Sequence, residues 1–334
     1  MRHILGTCVA LLMVAAAPLA AGVRHVATHP EEPVDANEST GLFVGIRQFT
    51  LDTSLTEVRY GVDDAVDLAY FVAVDADPRL VEPNRVVLAL AGEPQKPESK
   101  RRLDALLAAG AVRRFASQSD ILSLLEDQSR AVGSRGILIV DFATHGISYE
   151  GVQYLFAATS LLRHRETAIA ETTIRDIVST SKAERSVTLI DACRQRLASD
   201  TREGQSDPRA AAAPLLKSLA RIEGHVIFSA AAPGQYAYDD DAQRNGVFTA
   251  AVIDGLRCRA HPDARGFITV EALAAYVDER VLTWIQRNRD PKAHKATQLS
   301  AEGRSNMMPL AQCPGSYSQR HGRSSREAAG ATDP

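Results

Sequence analysis

The chain is predicted to fold as an α/β protein, a mainly parallel sheet with helices on both faces. Three observations predict this. Short aliphatic runs recur at Leu42–Ile46, Arg85–Leu90, Gly136–Phe142, Ser186–Asp191 and His225–Ala230, and each reads as a buried strand. Segments with apolar residues at helical spacing lie between them, which is the alternation of a parallel sheet covered on both faces. Two of the runs lead directly into chemistry-bearing residues, Asp191-Ala192-Cys193 and Ala143-Thr144-His145. The carboxyl ends of strands are where open parallel sheets bind ligands.

The elements follow in order. Residues 1–22 open with Met1-Arg2-His3 and continue as an apolar, Ala-rich run with small residues at Ala15, Ala17, Ala20 and Gly22. That is the pattern of a cleaved signal peptide, with a retained anchor as the alternative. Export to a periplasmic or secreted location is therefore expected. Residues 23–40 are polar and read as a linker, and residues 41–312 as one domain. Gln48–Tyr60 is a loop. Val62, Val66, Leu68, Ala69 and Val72 predict a helix over Val62–Val74. Leu103, Leu106 and Leu107 predict another over Ser99–Ala109, closed by Gly110. Ser119–Ala131 carries Ile121, Leu122, Leu124 and Leu125 and is a third helix. Tyr149–Ala157 reads as a small hairpin, and Thr173–Ser181, Val247–Arg257 and Thr269–Arg287 as helices. Residues 313–334, rich in Ser, Arg, Gly and Ala, read as a disordered tail.

Composition excludes several function classes. With 45% hydrophobic and 24% charged residues, the chain is of ordinary globular type. A net charge of −3 and 5% aromatics give no basis for nucleic acid as a partner. A membrane enters only if the N-terminal segment is retained. His25, His29, His164, His225, His261 and His294 are scattered, and no zinc pattern is present. Asp239-Asp240-Asp241 can bind calcium through oxygen ligands, although such a run is more often a solvated loop. A Gly-x-Ser-x-Gly elbow and a phosphate-cradling loop with Lys are both missing, against an α/β hydrolase or a nucleotide binder.

Cys193 alone has a bland reading, a small thiol packed as a hydrophobe. His145, 48 residues upstream (193 − 145), sharpens it. A cysteine nucleophile needs an imidazole to take its proton, and two parallel strands can each carry one partner at the same end. Gly146 adds a backbone N–H that nothing shields from a developing oxyanion.

An ordered set of segments resembles the caspase and metacaspase-like cysteine peptidases. It comprises Gly41–Ile46, Val62–Leu68, His145-Gly146, Asp191–Arg194, Phe228–Gln235 and Gly246–Thr249, spanning roughly residues 41–287. The resemblance implies a three-layer sandwich around a six-stranded sheet. It implies a cofactor-free peptidase acting on proteins or peptides, with Cys193 as nucleophile and His145 as its base. The N–H groups of Gly146 and Cys193 would hold the oxyanion, and no third member of a triad is evident. Relatives with Asp two positions before the cysteine accept Arg or Lys, so Asp191 implies cleavage after a basic residue. Asp64 stands where those relatives place a second pocket acid. Its neighbours Asp63 and Asp67 read equally well as solvated helix residues. The loop 195–214 matches an activation linker in this family, with Arg202 and Arg209 as sites of self-cleavage, or else is a mobile surface loop. With Cys193 as nucleophile, Cys258 and Cys313 are the natural pair in an oxidising compartment; the alternative is that both are free. Ala143-Thr144 before the histidine and Arg194-Gln195-Arg196 after the cysteine depart from the family pattern and crowd the site. The competing class is a non-catalytic interaction or regulatory module on the same fold.

Overall fold

A computed structural model describes residues 32–193, 195–196, 224–232, 235–289, 297–300 and 307–313. The expected signal segment, the self-cleavage positions Arg202 and Arg209, and the tail beyond residue 313 lie outside them.

The core is a seven-stranded sheet. Its parallel strands are β1 (Thr40–Ile46), β2 (Val86–Ala91), β3 (Val112–Phe115), β4 (Leu138–Ala143), β8 (Ser186–Asp191) and β10 (His225–Ser229). The spatial order is β14-β10-β8-β4-β1-β2-β3, with β14 (Gln298–Ser300) added antiparallel at one edge. The six parallel strands match the expected sheet, and the antiparallel seventh is an addition.

Every residue of β1, β2, β4 and β8 is buried. Parallel strands covered on both faces have to be apolar on both, which is why these runs were legible. Phe43, Leu88, Ile139, Leu189 and Phe228 form one face with α1 (Gly61–Tyr70, continued by a wider turn over Phe71–Asp75), α2 (Pro97–Ala108), α5 (Val247–Asp254) and α6 (Val270–Asn288). Leu42, Val44, Val140, Phe142 and Ile190 form the other with α3 (Gln118–Ala131) and α4 (Glu171–Ser179). Ser117 caps α3 by accepting the Asp120 N–H, and Thr269 caps α6 through the Ala272 N–H.

Three expectations change. The sheet extends to β3, whose sequence Val-Arg-Arg-Phe lacks an apolar run because an edge strand leaves half its side chains to solvent. The stretch read as linker is packed from residue 32 onward. Arg135 pairs with Asp35 (3.0 Å) and Glu38 (2.6 Å), Arg185 donates to the Glu32 carbonyl (2.7 Å), and Val34 rests on the core. Polarity there reflects specific ion pairs, which composition does not separate from a linker. The loop expected from residue 195 begins as a short strand, β9 (Gln195–Arg196), beside β5 (Gly146–Tyr149); β5 in turn forms the hairpin with β6 (Val152–Leu155).

Cys258 and Cys313 form a disulfide across 55 residues, joining the turn after α5 to β15 (Pro309–Gln312) and its partner β13 (Phe267–Thr269). Closing a loop of that length in the unfolded chain corresponds to about 4 kcal/mol on the chain-entropy scale. Cys258→Ser is therefore expected to lower the denaturation midpoint strongly, measured by urea unfolding with the reduced wild type as comparison.

Asp141 is buried without compensation. It lies on β4 facing α1, is 0% exposed, and neither oxygen has a hydrogen-bond partner among the described residues. Burial, and secondarily the charge of Asp191, push its pKa well up, so it is held protonated. The folded state then keeps a proton that the unfolded chain releases above about pH 4, so stability falls as pH rises from there. Asp141→Val is expected to raise stability near pH 7 by about 1–3 kcal/mol. It should also flatten the fall with pH, read from thermal unfolding at a series of pH values.

Candidate active site

The site is set by strand register. β4 and β8 pair from Leu138↔Ser186 to Ala143↔Asp191, so partners differ by 48 throughout (186 − 138, 191 − 143). His145 and Cys193 share that offset and leave the sheet side by side, each two residues beyond the last pair. The Thr144 N–H donates to the Asp191 carbonyl (3.2 Å), carrying the pairing one step further. Both side chains line one cleft of about 340 Å³, together with Asp64, Asp191, Asp239 and Arg289.

The imidazole is oriented from behind. Its Nε2 lies 2.9 Å from the Thr56 carbonyl and 3.3 Å from the Thr56 hydroxyl. A carbonyl only accepts, so Nε2 carries the proton and the lone pair of a neutral ring falls on Nδ1. Phe49 stacks on the ring at 5.4 Å and 8°. Burial holds the His145 pKa below its ordinary value despite the Thr56 carbonyl.

The Cys193 thiol is half-buried, with Sγ 3.8 Å from the Ala237 carbonyl. Burial pushes its pKa up, and the charges of Asp191 and Asp239 act in the same direction. The two shifts together favour a neutral thiol beside a neutral imidazole. Gly146 sits tight against this loop: a Cβ there would come 2.6 Å from the Cys193 carbonyl oxygen. The bond from the Phe156 N–H to the His145 carbonyl (2.9 Å) makes Gly146–Leu155 a non-hydrogen-bonded pair. The Gly146 N–H therefore points away from β6.

This is also where the chain can be placed among known proteins. The family model for the caspase domain matches residues 50–320. The chain belongs to the caspase-domain family. Solved structures of similar fold include protein GSU0716 from Geobacter sulfurreducens and caspase-1 from Spodoptera frugiperda. The first has 10% identity and a TM-score of 0.48, over 82% of this chain and 97% of that one. The second has 13% identity and a TM-score of 0.49, over 84% and 94%. No curated protein matches the chain.

Beside the cysteine and histidine, Asp64 and Asp191 converge, and among the described residues neither forms an ion pair, although Arg59 and Arg289 also line the cleft. Asp191 Oδ2 accepts from the Thr249 hydroxyl (2.8 Å) and N–H (3.2 Å). Asp64 accepts from Asn245 Nδ2 (2.7 Å) and the Gly246 N–H (2.9 Å). Gly246 lies between them: a Cβ there would meet Asp191 Oδ2 at 2.2 Å and Asp64 Oδ2 at 3.0 Å. Burial raises the Asp191 pKa to about 7, and burial with the Asp191 charge raises that of Asp64 well above the carboxylate range. Asp239 is raised as well, mainly by burial.

Asp63 and Asp67 are buried, unlike the solvated helix residues they resembled. Asp63 accepts from the Gln95 and Lys96 N–H groups (2.9 and 2.8 Å) in the turn that leads into α2. Asp67 holds Lys96, Ser99 and Arg102. Lys96 also donates to the Asn245 side-chain oxygen, which turns the Asn245 NH₂ toward Asp64. The run Asp239-Asp240-Asp241 is divided between the cleft and the core. Asp239 and Asp241 line the cleft, with Asp241 holding Arg59 and Tyr60, while Asp240 accepts from Trp284 Nε1 (3.0 Å).

Of the residues that resemblance singled out, Cys193, His145, Asp191 and Asp64 line one cleft, and Gly146 packs against the Cys193 carbonyl. Phe49, Thr56 and Asn245 escaped sequence reading, because a backbone carbonyl and a loop aromatic carry no motif. Thr144, which departs from the family pattern, turns its hydroxyl to the Phe156 carbonyl (2.7 Å).

A neutral, desolvated thiol has a direct signature. Iodoacetamide alkylation of Cys193 should be slow at pH 7 and keep accelerating past pH 9. A rate that levels off below pH 8 would instead mean a resting thiolate–imidazolium pair.

Proposed function

We propose that the protein is an exported cysteine endopeptidase that cleaves after Arg or Lys. The observation that carries this reading is a caspase-domain cysteine and histidine sharing a cleft with Asp64 and Asp191, two buried carboxylates that form no ion pair among the described residues. Membership of the caspase-domain family supports cysteine-peptidase chemistry on protein substrates, and the charge of the cleft supports the specificity. The leader pattern and the Cys258–Cys313 disulfide support an oxidising compartment.

In the proposed mechanism, a basic side chain enters beside Asp191 and Asp64 and replaces their missing counter-charge. Its arrival favours the ionised form of Asp191, whose pKa near 7 leaves it only partly ionised in the empty cleft. His145 Nδ1 takes the thiol proton as Sγ attacks the scissile carbonyl. The N–H groups of Gly146 and Cys193 receive the oxyanion. The proton passes to the leaving amine, and water then hydrolyses the acyl-enzyme with His145 as base. The Thr56 carbonyl stabilises the imidazolium formed on the way.

The test is hydrolysis of fluorogenic peptides ending in Arg, Lys or Asp. Arg and Lys peptides should be cleaved, Cys193→Ala should abolish turnover, and Asp191→Asn should lower kcat/KM by about 10²-fold, the loss of a buried charge pair. Cleavage after Asp, or none, would overturn the reading. Binding of an Arg-ended peptide to Cys193→Ala should tighten about tenfold from pH 6 to pH 8, because only the ionised Asp191 pairs with the cation.

A further inference from the structure

The cleft also has a basic wall. Arg289, the residue just past α6, lines it, and its guanidinium carbon lies 5.9 Å from the centre of the Tyr238 ring and 5.3 Å from that of Trp284. The two rings are 5.9 Å apart, and Trp284 is fixed by its hydrogen bond to the buried Asp240 (3.0 Å). The support beneath Arg289 is therefore held in place from the core side.

The group itself is not consumed by the fold. Arg289 Nη1 donates to the Asn288 carbonyl (3.0 Å), and among the described residues no carboxylate lies within ion-pair distance of it. Asp241, whose charge Arg289 feels, is already held by Arg59 and Tyr60. A guanidinium lying on aromatic faces keeps its edge of N–H donors free, and that planar fork matches a carboxylate. Tyr236, 52% exposed and 6.5 Å from Tyr238, extends the same aromatic surface toward solvent.

We propose that Arg289, on its Tyr238–Trp284 support, is a second substrate subsite that takes an acidic side chain of the peptide close to the cleaved basic residue. This rests on the reading of the cleft as a peptidase site for Arg or Lys. Asp191 and Asp64 take the cation, and Arg289 takes the anion. A substrate carrying both charges in the matching order is selected, and one carrying a second basic residue at this subsite is repelled.

Internally quenched peptides test this. Each carries one Arg at the cleaved position and Glu, Gln or Lys at one of the three residues on either side. At one position the wild type should favour Glu over Lys by about fivefold in kcat/KM, the scale of a solvent-accessible charge pair. Arg289→Ala should erase that preference and Arg289→Glu should reverse it. About 0.5 M salt should shrink it in the wild type. An unchanged Glu/Lys ratio in Arg289→Glu, with cleavage after Arg intact, would overturn the subsite and leave the peptidase reading standing. A wild type that cleaves after Arg but favours Glu at no position would do the same. Failure to cleave after Arg at all would overturn both.

Discussion

The in-register pairing of β4 with β8 is the constraint on which the rest of the site depends. Two adjacent parallel strands, buried on both faces, cannot slip by one residue without turning Val140, Phe142 and Ile190 from one core into the other. The packing that fixes this register also fixes where His145 and Cys193 leave the sheet. Their juxtaposition at one end of the sheet is thus secured by the apolar core.

A second constraint is the enclosure of charge. Asp63 and Asp67 are buried but satisfied, by the backbone N–H groups of Gln95 and Lys96 and by the side chains of Lys96, Ser99 and Arg102. Asp64, from the same helix, is held by Asn245 and Gly246 and forms no ion pair among the described residues. Buried carboxylates left without a counter-charge are unfavourable in the empty protein, and a cationic ligand relieves that cost. On the proposed function, this cost is what a basic side chain of the substrate would relieve. Asp141, deeper on β4, answers the same enclosure by keeping its proton, since burial and the nearby Asp191 charge both disfavour its ionised form.

Around this centre the chain uses backbone as much as side chains. The Thr56 carbonyl sets the tautomer of His145, and Gly146 and Gly246 allow close approach where any Cβ would collide. The loop of residues 48–60 thereby supplies both the ring that stacks on the histidine and the acceptor that orients it.

Much was legible in the sequence alone. Strands buried on both faces announce themselves as aliphatic runs, and most helices as repeating leucines and valines, because burial selects composition directly. The 48-residue separation of His145 and Cys193 was legible too, since it equals the register offset of their strands. Residues whose role depends on solvent or on a distant partner were not. The edge strand β3 looked polar because half of it faces water, and residues 32–39 looked like linker because their anchors are Arg135 and Arg185. Asp63, Asp64 and Asp67 are chemically identical and adjacent in sequence. Only the packing of α1 against α2 and against Asn245-Gly246 decides which two carboxylates are satisfied beside α2 and which one lines the cleft.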